Sequence, residues 1–393
     1  MKSIVFIFFM IQISFNLLAE TTPMDQVLVE DGVTLIAVDL KKAELKDKNP
    51  ENAKLIDGTY HYNVYVPAGY NTQKERKYAC LFIASPGGNA ALGNVKSWVK
   101  SKEWIVVMLV ESKNGDWGPI FSNFTSAHDD AVKRLRIQPG FKFGTGFSGG
   151  ARVSSNMPRI RDGFAGIILQ GAGFGGGYDS CLNNKNLTVY AIIGNKDGNF
   201  YELGVLESKL PAFTTRKLIT TNAGHSWAEE SEMEKGLDWS IDQAFKKTRM
   251  TSDNKLFLVG FRENQWKNAN QLPVGLEKLN QLEDLSGFLK SSRLTALGAE
   301  EDIVTKVNNV IAELKKDTII IKESGAEKAF VVVQESETNL RGRFKDKKQL
   351  TGQINPLYQN YLNISKKFPD TEYGKKALEA ADALKEEFFG DKK

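Results

Sequence analysis

The feature that most restricts the fold of this chain is a series of short apolar runs between residues 60 and 224, separated by segments of a different periodicity. The runs are YHYNVYVP (60–67), YACLFIAS (78–85), IVVMLVES (105–112), FKFGTGFS (141–148), AGIILQGA (165–172), LTVYAIIGN (187–195) and RKLITTNAG (216–224). Runs that are apolar almost throughout read as strands covered on both faces. Between most of them lie segments such as SAHDDAVKRLRI and FYELGVLESKLP, whose apolar residues recur at helical spacing. Strand, helix, strand in succession implies an α/β fold: a mostly parallel sheet with crossover helices on both faces.

This pattern stops near residue 250. Of the 34 Gly, 25 precede that point, and the last 143 residues are charge-dense, with 23 Lys plus Arg against 22 Asp plus Glu. They read as amphipathic helices, among them VGLEKLNQLEDLSGFLKSS, EEDIVTKVNNVIAELKKD and TEYGKKALEAADALKEEFF, although FLVG and TIII also suit short strands. The expected division is an α/β domain over residues 20–250 followed by a separate, mainly α-helical region over 251–393. Within that region, LYQNYLNISKKFPDTEYGKKALEAADALKEEF (357–388) resembles one tetratricopeptide-type repeat: an aromatic-rich helix, a Phe-Pro-Asp turn and an Ala-rich helix. One such unit cannot bury its own apolar face, and about three stacked units are usual. A helical hairpin docked on its own chain is therefore favoured over a peptide-binding array.

The first residues, MKSIVFIFFMIQISFNLLAE, place Lys2 before an apolar run and then the small Ala19, the layout of a secretory signal peptide over residues 1–19. An uncleaved anchor is the alternative, but a run of about 16 apolar-rich residues is short for a span. The expectation is a secreted or periplasmic protein, with no stable membrane insertion after signal removal. Lys plus Arg (52) exceeds Asp plus Glu (48) by only four, so a nucleic-acid partner has no electrostatic support. Two Cys exclude a disulfide scaffold, and neither Cys-x-x-Cys nor a Cys/His cluster offers a metal site.

Residues 146–150, Gly-Phe-Ser-Gly-Gly, match Gly-x-Ser-x-Gly at the junction of a strand and a helix. That pattern puts Ser148 on a tight turn whose glycines accept the crowded backbone and let the hydroxyl project. A serine hydroxyl is a weak nucleophile and needs a base in reach and a carboxylate to orient that base. Only three His exist: His61, His128 and His225. Asp197, in IIGNKDGNF, and His225, in NAGHSWAEE, each follow a strand, which gives the order Ser, Asp, His at the carboxyl ends of strands. Glu202 is the reserve for the acid, placed lower because it falls inside a helix. The loop Ser85-Pro86-Gly87-Gly88-Asn89 supplies oxyanion donors beside the N–H of Gly149; Pro86 has no N–H, so the donor is Gly87 or Gly88.

From about Tyr60 to Trp239 the chain resembles the secreted esterases of the α/β-hydrolase superfamily, a group including feruloyl-esterase-like, polyhydroxybutyrate-depolymerase-like and dienelactone-hydrolase-like enzymes. The residues that carry the resemblance are VYVPAGY (64–70), SPGGN (85–89), GFSGGARV (146–153), GNKD (194–197) and GHSW (224–227). It implies Ser148 as nucleophile, Asp197 as orienting acid and His225 as base. One departure is Ser85, where relatives usually have His; an oxyanion hole built from backbone groups survives that change, and its efficiency is what the change bears on. The implied activity is cleavage of a small-molecule or polymer-linked carboxylic ester through an acyl-enzyme, with no metal or organic cofactor. Two alternatives stay open: a serine peptidase of the same fold, and a hydrolase-like binding or scaffold protein acting through protein contacts of its C-terminal helices.

Other signals weigh less. Gly144, Gly146 and Gly149 match Gly-x-Gly-x-x-Gly but form the elbow itself, and Gly171, Gly173 and Gly176 run into GGGYDSCLNNK, which starts no helix for a pyrophosphate. His128, with Asp129 and Asp130, is expected on a helix surface, because adjacent helical residues point to different faces and suit no single ion. His61 is expected to be structural. In the usual hydrolase strand order Cys80 and Cys181 fall at opposite ends of strands two places apart, too far to pair. The basic run RGRFKDKK (341–348) reads as a solvated linker.

Overall fold

The computed structural model describes residues 28–41, 54–176, 184–247, 251–291, 301–344 and 347–389. The expected signal peptide, Cys181 and most of the GGGYDSC loop lie outside the described residues. The chain divides into two compact units: residues up to 192 with 201–218 and 227–244, and residues 193–200 and 219–226 with everything from 245 on.

The chain forms an eight-stranded sheet of β1 (Val33–Leu40), β2 (Gly58–Tyr65), β3 (Tyr78–Ala84), β4 (Ile105–Leu109), β5 (Ile137–Phe147), β6 (Phe164–Gln170), β7 (Thr188–Gly194) and β8 (Thr215–Thr221). Their order is β1-β2-β4-β3-β5-β6-β7-β8. β2 runs antiparallel to β1 and β4, while β4, β3, β5, β6 and β7 pair in parallel. Every residue of β3, β4, β6 and β7 is buried, as their unbroken apolar runs require. The strand missing from the sequence reading is β1: it lies at the sheet edge, where exposed places alternate with half-buried or buried ones and Val33 and Leu35 face solvent. Helices α1 (Lys96–Lys102), α2 (Trp117–Arg134), α3 (Gly149–Ile160), α4 (Glu202–Lys209) and α5 (Glu230–Lys247) connect or follow the strands. This is the α/β-hydrolase architecture, with the turn from β5 into α3 in mid-sheet.

One expectation is corrected here. His128 does not lie on a helix surface: it is 5% exposed and continues the buried stripe Phe121, Phe124, Ala131 of α2. Its Nε2 accepts from Lys142 Nζ at 2.6 Å, and its Nδ1 lies 2.9 Å from Asp129 Oδ1. Arg161 grips both oxygens of the same carboxylate at 2.8 and 2.7 Å. Burial pushes His128 down to about 4 and Lys142 down to about 8, both from the cost of carrying charge away from water. Burial alone would raise Asp129, but Arg161 and His128 outweigh it and hold the carboxyl below its ordinary range.

Among its described residues the second unit contains six α-helices: α6 (Ser252–Gln271), α7 (Leu276–Ser291), α8 (Glu301–Leu314), α9 (Thr318–Arg343), α10 (Lys347–Lys367) and α11 (Glu372–Leu384). FLVG and TIII both fall in helices, α6 and α9. One apolar cluster joins α6, α7 and α8 to Ile320 at the start of α9. A second packs Phe330 and Val333 of α9 against Leu350, Ile354, Leu357 and Tyr361 of α10 and Ala377, Ala381 and Leu384 of α11. The hairpin of α10 and α11 thus buries its apolar face on α9. Side chains cap these helices: Asp317 accepts from the N–H groups of Ile319 and Ile320, and Thr371 from that of Gly374. Among the described residues no helix is long and apolar enough to cross a membrane.

Candidate active site

In the first unit, the turn between β5 and α3 holds Ser148 at φ 52° and ψ −116°, outside the conformations an L-residue prefers. Its N–H donates to the Gln170 carbonyl at 2.8 Å, and its own carbonyl accepts from Arg152 N–H to open the helix. The flanking glycines are needed for close approach. A Cβ on Gly146 would lie 2.5 Å from the carbonyl oxygens of Ala84 and Gly150, and one on Gly150 would strike the Ala84 carbonyl. The end of β3 is thereby pressed against the turn, which brings the loop after β3 to Ser148.

That loop forms a tight turn. Gly88, at φ 73°, donates its N–H to the Ser85 carbonyl at 3.1 Å, and the Asn89 N–H donates to Val110. With Pro86 lacking a donor and Gly88 engaged, Gly87 is the member of the pair left as the oxyanion candidate beside Gly149. The other wall is aromatic. Phe147, just before Ser148, packs against Trp227 with ring centroids 5.3 Å apart, and Asn94 Nδ2 bonds both Gln170 and the Ala228 carbonyl. A cleft of about 620 Å³ opens along Gly115, Trp117, Phe121, Asn156 and Arg159, with Trp117 and Phe121 stacked at 5.1 Å.

In the second unit, Asp197 and His225 form a pair. His225 Nδ1 lies 2.8 Å from Asp197 Oδ2, and the other carboxylate oxygen accepts the Asn199 N–H at 2.8 Å. The Asp197 side chain is 1% exposed and that of His225 43%, so a buried carboxylate fixes an accessible imidazole. The bond favours the tautomer with its proton on Nδ1, which makes the remaining ring nitrogen a base. The two loops are tied together by Asn195 N–H to Thr221 and Lys196 N–H to Ala223, at 2.8 and 3.0 Å.

The reserve acid Glu202 stands at the start of α4 with both oxygens engaged, Oε1 by Arg152 at 2.5 Å and Oε2 by Gly173 N–H at 2.6 Å. It braces α3 and the loop after β6. His61 in β2 holds Glu111 at 2.6 Å, and Asn123 of α2 bonds both residues, a network within the scaffold. Among the described residues no three His, Cys, Asp or Glu side chains gather as metal ligands. Sequence reasoning passed over Asn114, whose side chain lies against Gly149; nothing in the linear sequence links positions 35 apart.

No family model matches the chain, the tetratricopeptide-type resemblance included, and no curated protein matches it. Solved structures do. The chain is similar to a ferulic acid esterase, at 14% identity and a TM-score of 0.41 over 54% of this chain and 98% of that one. It is similar to Est1E from Butyrivibrio proteoclasticus at 10% identity and a TM-score of 0.38, over 53% and 98%. Oligopeptidase B from Leishmania major aligns at 13% identity and a TM-score of 0.36, over 55% of this chain and 36% of that one. These neighbours are esterases and a peptidase.

Proposed function

We propose that the chain is a serine hydrolase that cleaves carboxylic esters through an acyl-enzyme and works after export, in the periplasm or outside the cell. The observation that carries this reading is the backbone of Ser148: a non-glycine residue at φ 52° and ψ −116° between two glycines that close packing demands. Such strain persists only where the surrounding structure enforces it, and it is characteristic of functional positions. The chain order Ser, Asp, His and the Asp197–His225 bond give further support. So does the packing of Trp227, two residues past His225, on Phe147.

In this mechanism Ser148 Oγ bonds to the ester carbonyl carbon while His225 takes the hydroxyl proton, and Asp197 stabilises the imidazolium that results. The carbonyl oxygen becomes an oxyanion held by the N–H groups of Gly149 and Gly87. Collapse of the tetrahedral intermediate expels the alcohol, which leaves with the proton from His225. Water then repeats the sequence on the acyl-enzyme and releases the acid. The substrate is a small-molecule or polymer-linked ester.

Reaction with a fluorophosphonate tests this, since only an activated serine is labelled. The expected outcome is a single adduct at Ser148, absent from Ser148→Ala. Matched ester and amide substrates with one acyl group then separate esterase from peptidase. No adduct, with function retained by the helices after residue 250, would identify a scaffold protein instead.

A further inference from the structure

We infer that the Asn114 carboxamide completes the oxyanion site, as a third donor beside the N–H groups of Gly149 and Gly87; the inference rests on Ser148 being the nucleophile. Three observations carry it. First, the Asn114 side chain stands where a Cβ on Gly149 would go: Oδ1 takes that place and Nδ2 lies 3.3 Å from it. Gly149 opens α3 without a positive φ, so its own backbone does not demand glycine. The neighbouring amide does.

Second, the loop that carries Asn114 is fastened to the loop that carries Gly87. The Asn114 N–H donates to the Pro86 carbonyl at 2.8 Å, and Gly87 forms an isolated antiparallel bridge with Lys113. Third, the Asn114 residue is exposed, and among the described residues its side chain has no hydrogen-bond partner. An amide has two N–H donors, and its nitrogen and oxygen ends exchange by a half-turn about one bond. An N–H can therefore meet an oxyanion seated on Gly149, in a hole where Pro86 has no donor and Gly88 is bonded to Ser85.

The test is turnover of p-nitrophenyl acetate by the full chain, with Ser148→Ala as the reference for Ser148-dependent activity. Asn114→Ala is expected to lower kcat by about 10²-fold with KM within about twofold, as for a contact made in the transition state. Asn114→Asp, of the same shape but negatively charged, is expected to lose at least as much. Gly149→Ala keeps its own N–H and puts a methyl group where the amide sits. It is expected to match Asn114→Ala, and the double variant to be no worse than either single one. Melting temperatures of the variants keep folding defects apart from kinetic ones. Ser148-dependent turnover that Asn114→Ala leaves within about threefold of wild type overturns this inference alone, as do single losses that multiply in the double variant. Wild-type turnover that does not depend on Ser148 overturns the hydrolase reading and this inference with it.

Discussion

Single residues in this protein are constrained by different forces, and substitutions should separate them. If Ser148, His225 and Asp197 act as a unit, Ser148→Ala and His225→Ala should each remove on the order of 10⁴-fold or more of turnover, with the double variant little worse. Asp197→Asn should cost less, because an orienting group is partly replaceable. Ester-hydrolysis rates check this, and full activity in Ser148→Ala would defeat the enzyme reading. His128 is constrained by solvation instead. Its folded value, about 4, lies below the ordinary 6.5, so the unfolded chain binds more protons between those limits. Stability from this group is thus present above about pH 6.5 and falls as pH drops toward 4; the loss at pH 5 should be about 2 kcal/mol. Urea midpoints at pH 7.5 and 5 should differ less in His128→Gln, which keeps an acceptor for Lys142 and does not titrate. Asp129, held low, adds its own loss only below the ordinary carboxylate range. Ser148 was legible because an elbow needs glycines at fixed offsets. His128 was misplaced because its acidic neighbours drew attention from the apolar stripe it shares with Phe121, Phe124 and Ala131. Asn114 could not be read at all, since its meaning depends on a loop meeting a distant helix.

Strands covered on both faces are the most legible elements. β3, β4, β6 and β7 announce themselves because both faces are covered, so nearly every residue is apolar. β1 lies at the sheet edge and shows Val33, Leu35, Ala37 and Asp39 to solvent, so only alternate places are covered. TIII, read alone, suits a strand as well as a helix; Asp317 settles the matter by capping α9 at Ile319 and Ile320. Caps also give the helical region a measurable handle. Thr371 Oγ1 receives the Gly374 N–H at 2.9 Å at the start of α11, and the residue is only 6% exposed. Thr371→Ala should lower stability by about 1–2 kcal/mol, while Thr371→Ser, which keeps the hydroxyl, should stay near wild type. Urea unfolding followed by circular dichroism reads both.

At the scale of the whole molecule, the fall in glycine near residue 250 reflects two ways of building a core. Crossover connections and the elbow use glycine heavily, whereas helices packed on helices avoid it. We propose that residues 20–250 form an independent domain. A chain ending at residue 250 is then expected to unfold in one cooperative transition and to keep its fluorophosphonate adduct at Ser148. An insoluble product, or one without a transition, would move the boundary. The contorted backbone at Ser148 has a last consequence, for descent. Glycine would sit at those angles without objection, so, if Ser148 is the nucleophile, a lineage relieved of the need for turnover would gain robustness by exchanging that residue first, and silent copies of this fold should outlast working ones on heating.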